Sequence, residues 1–157
     1  MLACACPRGQ TMPLHCRVWG GVAFLPQARE GWAMTATVKD MLAAANAAVP
    51  RISGAEAQVL AGQPNVVLLD IRDGSEVAVS GKAKGALHVS RGLLEFRADP
   101  ESPLHDAAFD RAKTIILYCA SGGRAALAGK TLRDMGYGDV RNLGGFKDWV
   151  EAGGEVE

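Results

Sequence analysis

The sequence predicts an α/β domain built on a small parallel sheet, and three observations predict it. Two short apolar runs, Val66-Val67-Leu68-Leu69 and Thr114-Ile115-Ile116-Leu117-Tyr118, hold no Gly or Pro and have the length and β-branched content of buried strands. The second run is followed by Ala125, Ala128, Leu132 and Met135, which share one face of a helix, with Gly136 as its left-handed stop. A further short strand, Val140-Arg141-Asn142-Leu143, comes next, and strand–helix–strand at this spacing is a right-handed parallel crossover.

Taken in order, the regular part begins at Met34. Thr37-Val38-Lys39-Asp40 opens a capped helix whose apolar face is Val38, Met41, Leu42 and Ala45, ended by Pro50. Ser53-Gly54-Ala55-Glu56 is a capping box for a second helix over residues 55–61, closed by Gly62. The first buried strand, residues 66–70, runs into Ile71-Arg72-Asp73-Gly74, where charge begins. Residues 76–80 suit a short helix, 81–86 a turn-rich loop, and Leu87-His88-Val89 a short strand. A polar, proline-bearing segment at 98–103 leads to a short helix expected at 104–109. After the final strand, Gly144-Gly145 breaks the pattern, and Phe146, Trp149 and Val150 form the apolar side of a last helix ending at Gly153. His88 and His105 stand alone and read as hydrogen-bonded structural groups.

Composition narrows the function classes. The chain has 157 residues with 48% hydrophobic and 22% charged side chains, which suits one domain with an adequate core. A formal net charge of zero gives no footprint for a nucleic-acid or acidic-membrane partner. No apolar run approaches the roughly 20 residues of a membrane span. Residues 1–33 differ from the rest, with three arginines against one acid and no sustained period. We read them as a disordered extension, with Met34-Thr35 as the expected start of the domain at 34–157. A basic targeting arm is the competing reading. Metal binding by Cys4, Cys6, His15 and Cys16 is disfavoured, since Cys-x-Cys and His-Cys lack the paired spacing of a zinc site. Cys119 has no second cysteine in the body of the chain, which argues against a disulfide framework and for a reducing, cytoplasmic setting.

The chemistry is expected at Cys119-Ala120-Ser121-Gly122-Gly123-Arg124, where a strand hands over to a helix. The first turn of a helix leaves backbone N–H groups unpaired and carries partial positive charge. Gly122 and Gly123 let the loop curl so that the N–H groups from Ala120 through Arg124 form an anion cradle, and Arg124 adds a planar fork of donors. A thiol in such a field ionises readily, and the thiolate is the nucleophile. Asp70 and Arg72 end the other buried strand at the same sheet edge, where ligands of parallel sheets gather. A structural ion pair is the favoured reading for them, ahead of a direct catalytic part.

The body of the chain resembles the rhodanese-like family of single-domain sulfurtransferases. The motifs are Asp70-Ile71-Arg72 after a strand, residues 81–86 in place of a Gly-His-x-x-Gly-Ala turn, Cys119 through Arg124, and Gly144-Gly145-Phe146-x-x-Trp149, together covering about 52–155. Lys82 stands where the family usually has histidine, at a position that is mainly structural there. The segment Arg91-Gly92-Leu93-Leu94-Glu95-Phe96 resembles a subgroup with a long loop before the catalytic strand. The resemblance implies a single small α/β domain with helices on both faces of the sheet and a persulfide on Cys119. It implies a small anionic sulfur donor such as thiosulfate, with cyanide or a protein thiol as acceptor. Neither cofactor nor metal is implied. Rhodanese-like folds also host phosphatases of the Cdc25 type and arsenate reductases, but there the loop holds one residue more between cysteine and arginine. Four residues separate Cys119 from Arg124, which favours sulfur. A non-enzymatic persulfide carrier is the remaining alternative, and retention of Cys119 tilts toward an enzyme.

Overall fold

The two apolar runs form the centre of the sheet. The computed structural model describes residues 35–157; the readings made for residues 1–33 lie outside them. Among the described residues the order is α1 (Val38–Ala48), α2 (Gly54–Ala61), β1 (Val66–Asp70), α3 (Gly74–Ser80), β2 (Leu87–His88), a 3₁₀ turn (Arg91–Leu93), α4 (Leu94–Ala98), β3 (Thr114–Cys119), α5 (Gly123–Asp134), β4 (Asp139–Gly145) and α6 (Phe146–Glu151). The four strands pair in parallel in the order β2-β1-β3-β4.

Alternation along β3 divides the core into two layers, because successive side chains of a strand leave opposite faces. Ile115, Leu117 and Cys119 join Val49, Leu94, Ala125, Ala128 and Leu132 on the face covered by α5. Ile116 and Tyr118 join Ala57, Leu143 and Trp149 on the face covered by α2 and α6. Both faces of the sheet are thus buried, which is why its central strands read as unbroken apolar runs. The same alternation puts Cys119 on the α5 side, where the helix N-terminus lies.

The expected cap at Thr37 and the expected capping box at Ser53 are both present, and Thr37 with Asp40 also forms a box. Thr37 Oγ1 accepts the Asp40 N–H at 3.2 Å, and Ser53 Oγ accepts that of Glu56 at 3.2 Å. Two segments differ from expectation. Residues 104–109 are turns, because Ser102, Asp106 and Asp110 spend their side chains on the N–H groups of Leu104, Ala108 and Ala112, at 3.1, 3.0 and 2.8 Å. Such local bonds compete with helix. The segment read as a long loop at 91–96 is instead largely helical, held by Leu94 and Ala98 in the core on the α5 face. The lone histidines bond backbone carbonyls, His88 that of Arg72 at 2.9 Å and His105 that of Arg97 at 3.1 Å. Among the described residues no helix is long and apolar enough to cross a membrane.

Candidate active site

The strand order places the site. The chain leaves β1 toward β2 on one side and returns to β3 on the other, so the carboxyl ends of β1 and β3 border the crevice where the connections diverge. Asp70 and Tyr118 are register partners there, and Cys119 is the next residue and the last of β3.

Cys119 is fully buried and receives the Gly122 N–H on its sulfur at 3.1 Å. Gly122 sits at φ +91° as the N-cap of α5, a conformation that returns the chain over the sulfur and that side-chain-bearing residues rarely adopt. The helix begins at Gly123, two residues earlier than its apolar pattern indicates, so Gly123 and Arg124 form its first turn. Ala120 and Ser121 are exposed at the tip of the loop. The loop therefore presents one backbone donor, the Gly122 N–H, and the positive end of a twelve-residue helix to the thiol.

The neighbouring strand braces this loop. β4 carries a register shift between Leu117 and Tyr118 that brings Gly144 and Gly145 opposite Tyr118 and Cys119. A Cβ on Gly145 would lie 2.6 Å from the Ala120 carbonyl oxygen, and one on Gly122 would lie 3.0 Å from the Gly144 Cα. These glycines are therefore close-approach positions as well as turn residues. Buried Asn142 ties the two segments. Its amide donates to the Gly122 carbonyl at 3.2 Å and accepts the Gly144 N–H at 2.8 Å. Asp148 accepts the Gly145 N–H at 2.9 Å and pairs with Arg51 at 2.9 Å.

Arg124 does not stand free over the loop. Its guanidinium donates to both carboxylate oxygens of Glu76, at 2.7 and 2.8 Å, and to Asp73 at 3.3 Å. The pairing, helped by the Asp73 N–H, holds the Glu76 carboxyl down at about 2, and Glu76 in turn raises the pKa of Arg124. Glu76, Asp73 and Asn142 were not singled out from sequence. The signal for the first two was the D-x-x-E spacing ahead of α3, in which Glu76 accepts the Asp73 N–H at 3.0 Å. For Asn142 it was an amide inside an apolar strand, since a buried polar group needs partners.

Asp70 and Arg72 form a buried structural pair. Arg72 donates from Nε to both Asp70 oxygens at 3.0 Å and from its Nη2 at 2.7 Å, then reaches the Ser80 hydroxyl at 2.7 Å and the Gly81 carbonyl at 2.6 Å. Its guanidinium also lies 4.2 Å from the Phe146 ring centroid. Burial opposes the charge on Arg72, and the bonds to Asp70 outweigh it. Every link runs to a neighbouring element, so the pair fixes α3 and the following turn against the sheet beside the loop.

A parallel α/β sheet with a buried cysteine at a strand end, beside a glycine-bearing helix start, describes the class of protein to which this fold and site belong. The rhodanese-like domain model matches residues 53–152, and the chain belongs to the rhodanese-like domain family. It is 33% identical over 104 residues to the thiosulfate:glutathione sulfurtransferase of Saccharomyces cerevisiae, covering 59% of this chain and 70% of that protein. Among solved structures it is similar to a Rhodopseudomonas palustris protein of unknown function described as a possible tyrosine phosphatase. That match has 40% identity and a TM-score of 0.73, over 81% of this chain and 98% of the other. It is also similar to the polysulfide-sulfur transferase of Wolinella succinogenes, at 35% identity and TM-score 0.61, over 76% and 85% of the two chains. Two of these relatives, the thiosulfate:glutathione sulfurtransferase and the polysulfide-sulfur transferase, are named for sulfur transfer, which supports sulfur transfer as the general chemistry of this chain.

Proposed function

We propose that this protein moves sulfane sulfur from an anionic donor such as thiosulfate to a thiophilic acceptor through a persulfide on Cys119. The observation that carries the reading is the Cys119 sulfur at the N-terminal end of α5, with the Gly122 N–H directed at it from 3.1 Å. In the first step the Cys119 thiolate attacks the outer sulfur of thiosulfate. The S–S bond of the donor breaks, sulfite leaves with its electron pair, and Cys119-S-S⁻ remains. In the second step cyanide or a thiolate attacks the outer sulfur, the new S–S bond breaks, and its electrons return to Cys119. Atoms and charge balance in both steps without a proton or an added redox partner. Two displacements replace one difficult transfer. The backbone donors of residues 120–124 meet the anionic sulfur in a preorganised site, the kind of electrostatic stabilisation that needs no rearrangement during reaction. Arg124, held by Glu76, sets one wall of that cradle.

The test is thiocyanate formation from thiosulfate and cyanide by the parent and by Cys119→Ser. Activity is expected in the parent, together with one added sulfur atom at Cys119 in the intact mass after thiosulfate. Turnover surviving in Cys119→Ser would overturn the mechanism. Hydrolysis of an aryl phosphate that depends on Cys119 would move the protein to phosphatase chemistry, against the four-residue spacing to Arg124.

A further inference from the structure

Gly122 and Gly123 give the cysteine loop its shape but do not hold it, because consecutive glycines accept many backbone conformations and fix none. What holds them is a side chain on another strand. Asn142 is 3% exposed on β4, where its register partner is Leu117, which shares its sheet face with Cys119 two residues on. The amide nitrogen of Asn142 donates to the Gly122 carbonyl at 3.2 Å, and its amide oxygen accepts the Gly144 N–H at 2.8 Å. The Asn142 backbone is locked as well, accepting the Ile52 N–H at 3.0 Å and donating to the Pro50 carbonyl at 2.9 Å. The Gly122 carbonyl takes a second donor, the Ala126 N–H at 2.9 Å. Both of its lone pairs are then used, which pins the peptide between Gly122 and Gly123. That peptide is trans, so its N–H lies opposite the carbonyl. Gly123 is the first residue of α5, and the helix offers no carbonyl to its N–H. This N–H therefore points out of the start of α5, the end that carries the Cys119 loop. The position needs one side chain that donates to a carbonyl and accepts from an N–H. An amide does both, whereas a carboxylate only accepts and an aliphatic side chain does neither.

Resting on the sulfur-transfer reading, we propose that Asn142 is a positioning residue for that reaction, and that it sets how strongly the site favours an anionic donor. Its bonds run to the loop backbone and not to the sulfur. It acts through the Gly122–Gly123 peptide, keeping the Gly122 N–H at 3.1 Å from the Cys119 sulfur and the Gly123 N–H turned to the same end of the helix. Donors fixed in advance stabilise negative charge without rearranging, and a glycine turn released from Asn142 loses that advantage. The loss falls on anionic reagents, because a neutral reagent makes little use of aimed N–H groups.

The experiment compares two reagents that the Cys119 thiolate attacks at sulfur, thiosulfate and S-methyl methanethiosulfonate. With thiosulfate, one sulfur is added and sulfite leaves with the electron pair. With the thiosulfonate ester, a methylthio group is added and methanesulfinate leaves with the pair. The first reagent is a dianion and the second is neutral. The ratio of their second-order rates on full-length protein, read at Cys119 by peptide mass, cancels thiol ionisation and access. Asn142→Leu is expected to lower the ratio about tenfold, less than outright loss of a donor costs, because the N–H groups remain. Asn142→Asp is expected to lower it at least as far, and Asn142→Ala replaces Asn142→Leu if the latter does not fold. Tyr137→Phe gives up a buried bond to the Ala98 carbonyl, at 2.8 Å, beyond the other end of α5, and is expected to keep the parent ratio. An unchanged ratio in the folded Asn142 variants, or an equal fall in Tyr137→Phe, overturns the proposal. So does loss of the fold in all three Asn142 variants, which marks a residue with a structural part alone. A parent that takes up the methylthio group at Cys119 but gains no sulfur from thiosulfate overturns the sulfur-transfer reading instead, so the two failures are distinct.

Discussion

Arg124 shows how much a single side chain depends on its partners. By sequence it adds positive charge to an anion cradle; in the structure Glu76 and Asp73 share that charge from 2.7 to 3.3 Å. Arg124→Ala therefore does more than remove a cation, because it leaves two carboxylates beside a loop that must admit an anion. We expect kcat/KM for thiosulfate to fall about tenfold or more in Arg124→Ala, and part of it to return in Arg124→Ala/Glu76→Gln. Equal losses in the single and double variants would show that Glu76 does not act on the donor. The same pair has a pH signature. Glu76 drops from an ordinary 4.5 to about 2 on folding, so its stabilisation is present above 4.5 and is lost as pH falls toward 2. The difference in urea midpoint between parent and Glu76→Gln should be constant from pH 7 to 5 and narrow below that. A gap that widens on acidification would contradict the pairing.

Among the elements, α5 is the most constrained, for it presents the loop at one end and packs on α1 and β4 along its length. Gly129 is where that packing is tightest. A Cβ there would lie 2.9 and 3.1 Å from the two methyls of Val49 and 3.4 Å from Val140. Replacing Gly by Ala in a helix gains about 1 kcal/mol of propensity, while overfilling a core loses about 1 to 3 kcal/mol. Gly129→Ala should therefore leave the protein equal in stability or up to about 2 kcal/mol less stable. In a Val49→Ala background the clash is gone and the same change should stabilise. Urea denaturation of the four proteins reads this sign change directly. The helix was legible from its period, but its start at Gly123 was not, since two glycines hide a helical turn from any apolar pattern. The expected helix at 104–109 failed for the opposite reason, because short polar side chains captured the backbone first.

For the molecule as a whole, the turn at 81–86 shows what ties distant parts together. Tyr118, buried in the sheet, accepts the Ala83 N–H on its hydroxyl at 3.0 Å. The C-terminal residues then lie along the turn, with Lys82 and Glu157 exchanging backbone bonds at 2.8 and 2.9 Å and Lys84 donating to the Glu155 carbonyl at 2.9 Å. That carbonyl also accepts the Trp149 indole N–H at 2.9 Å. Lys82 pairs its ammonium with Glu157. Removing residues 155–157 should lower stability by about 2 to 4 kcal/mol, at roughly 1 kcal/mol for each of these four bonds, read as a shift in urea midpoint. An unchanged midpoint would mean that the turn is held by Tyr118 alone. What the amino-acid sequence determined by itself was local: the strands from their apolar runs, the capped helices from their boxes, and Cys119 at a strand-to-helix junction, because each rests on neighbours within a few residues. Only the tertiary structure decided which carboxylate holds Arg124 and that Asn142 and Gly145 shape the loop from β4. Those contacts join residues dozens of positions apart, and their identity follows from strand order and close packing, which no local pattern encodes.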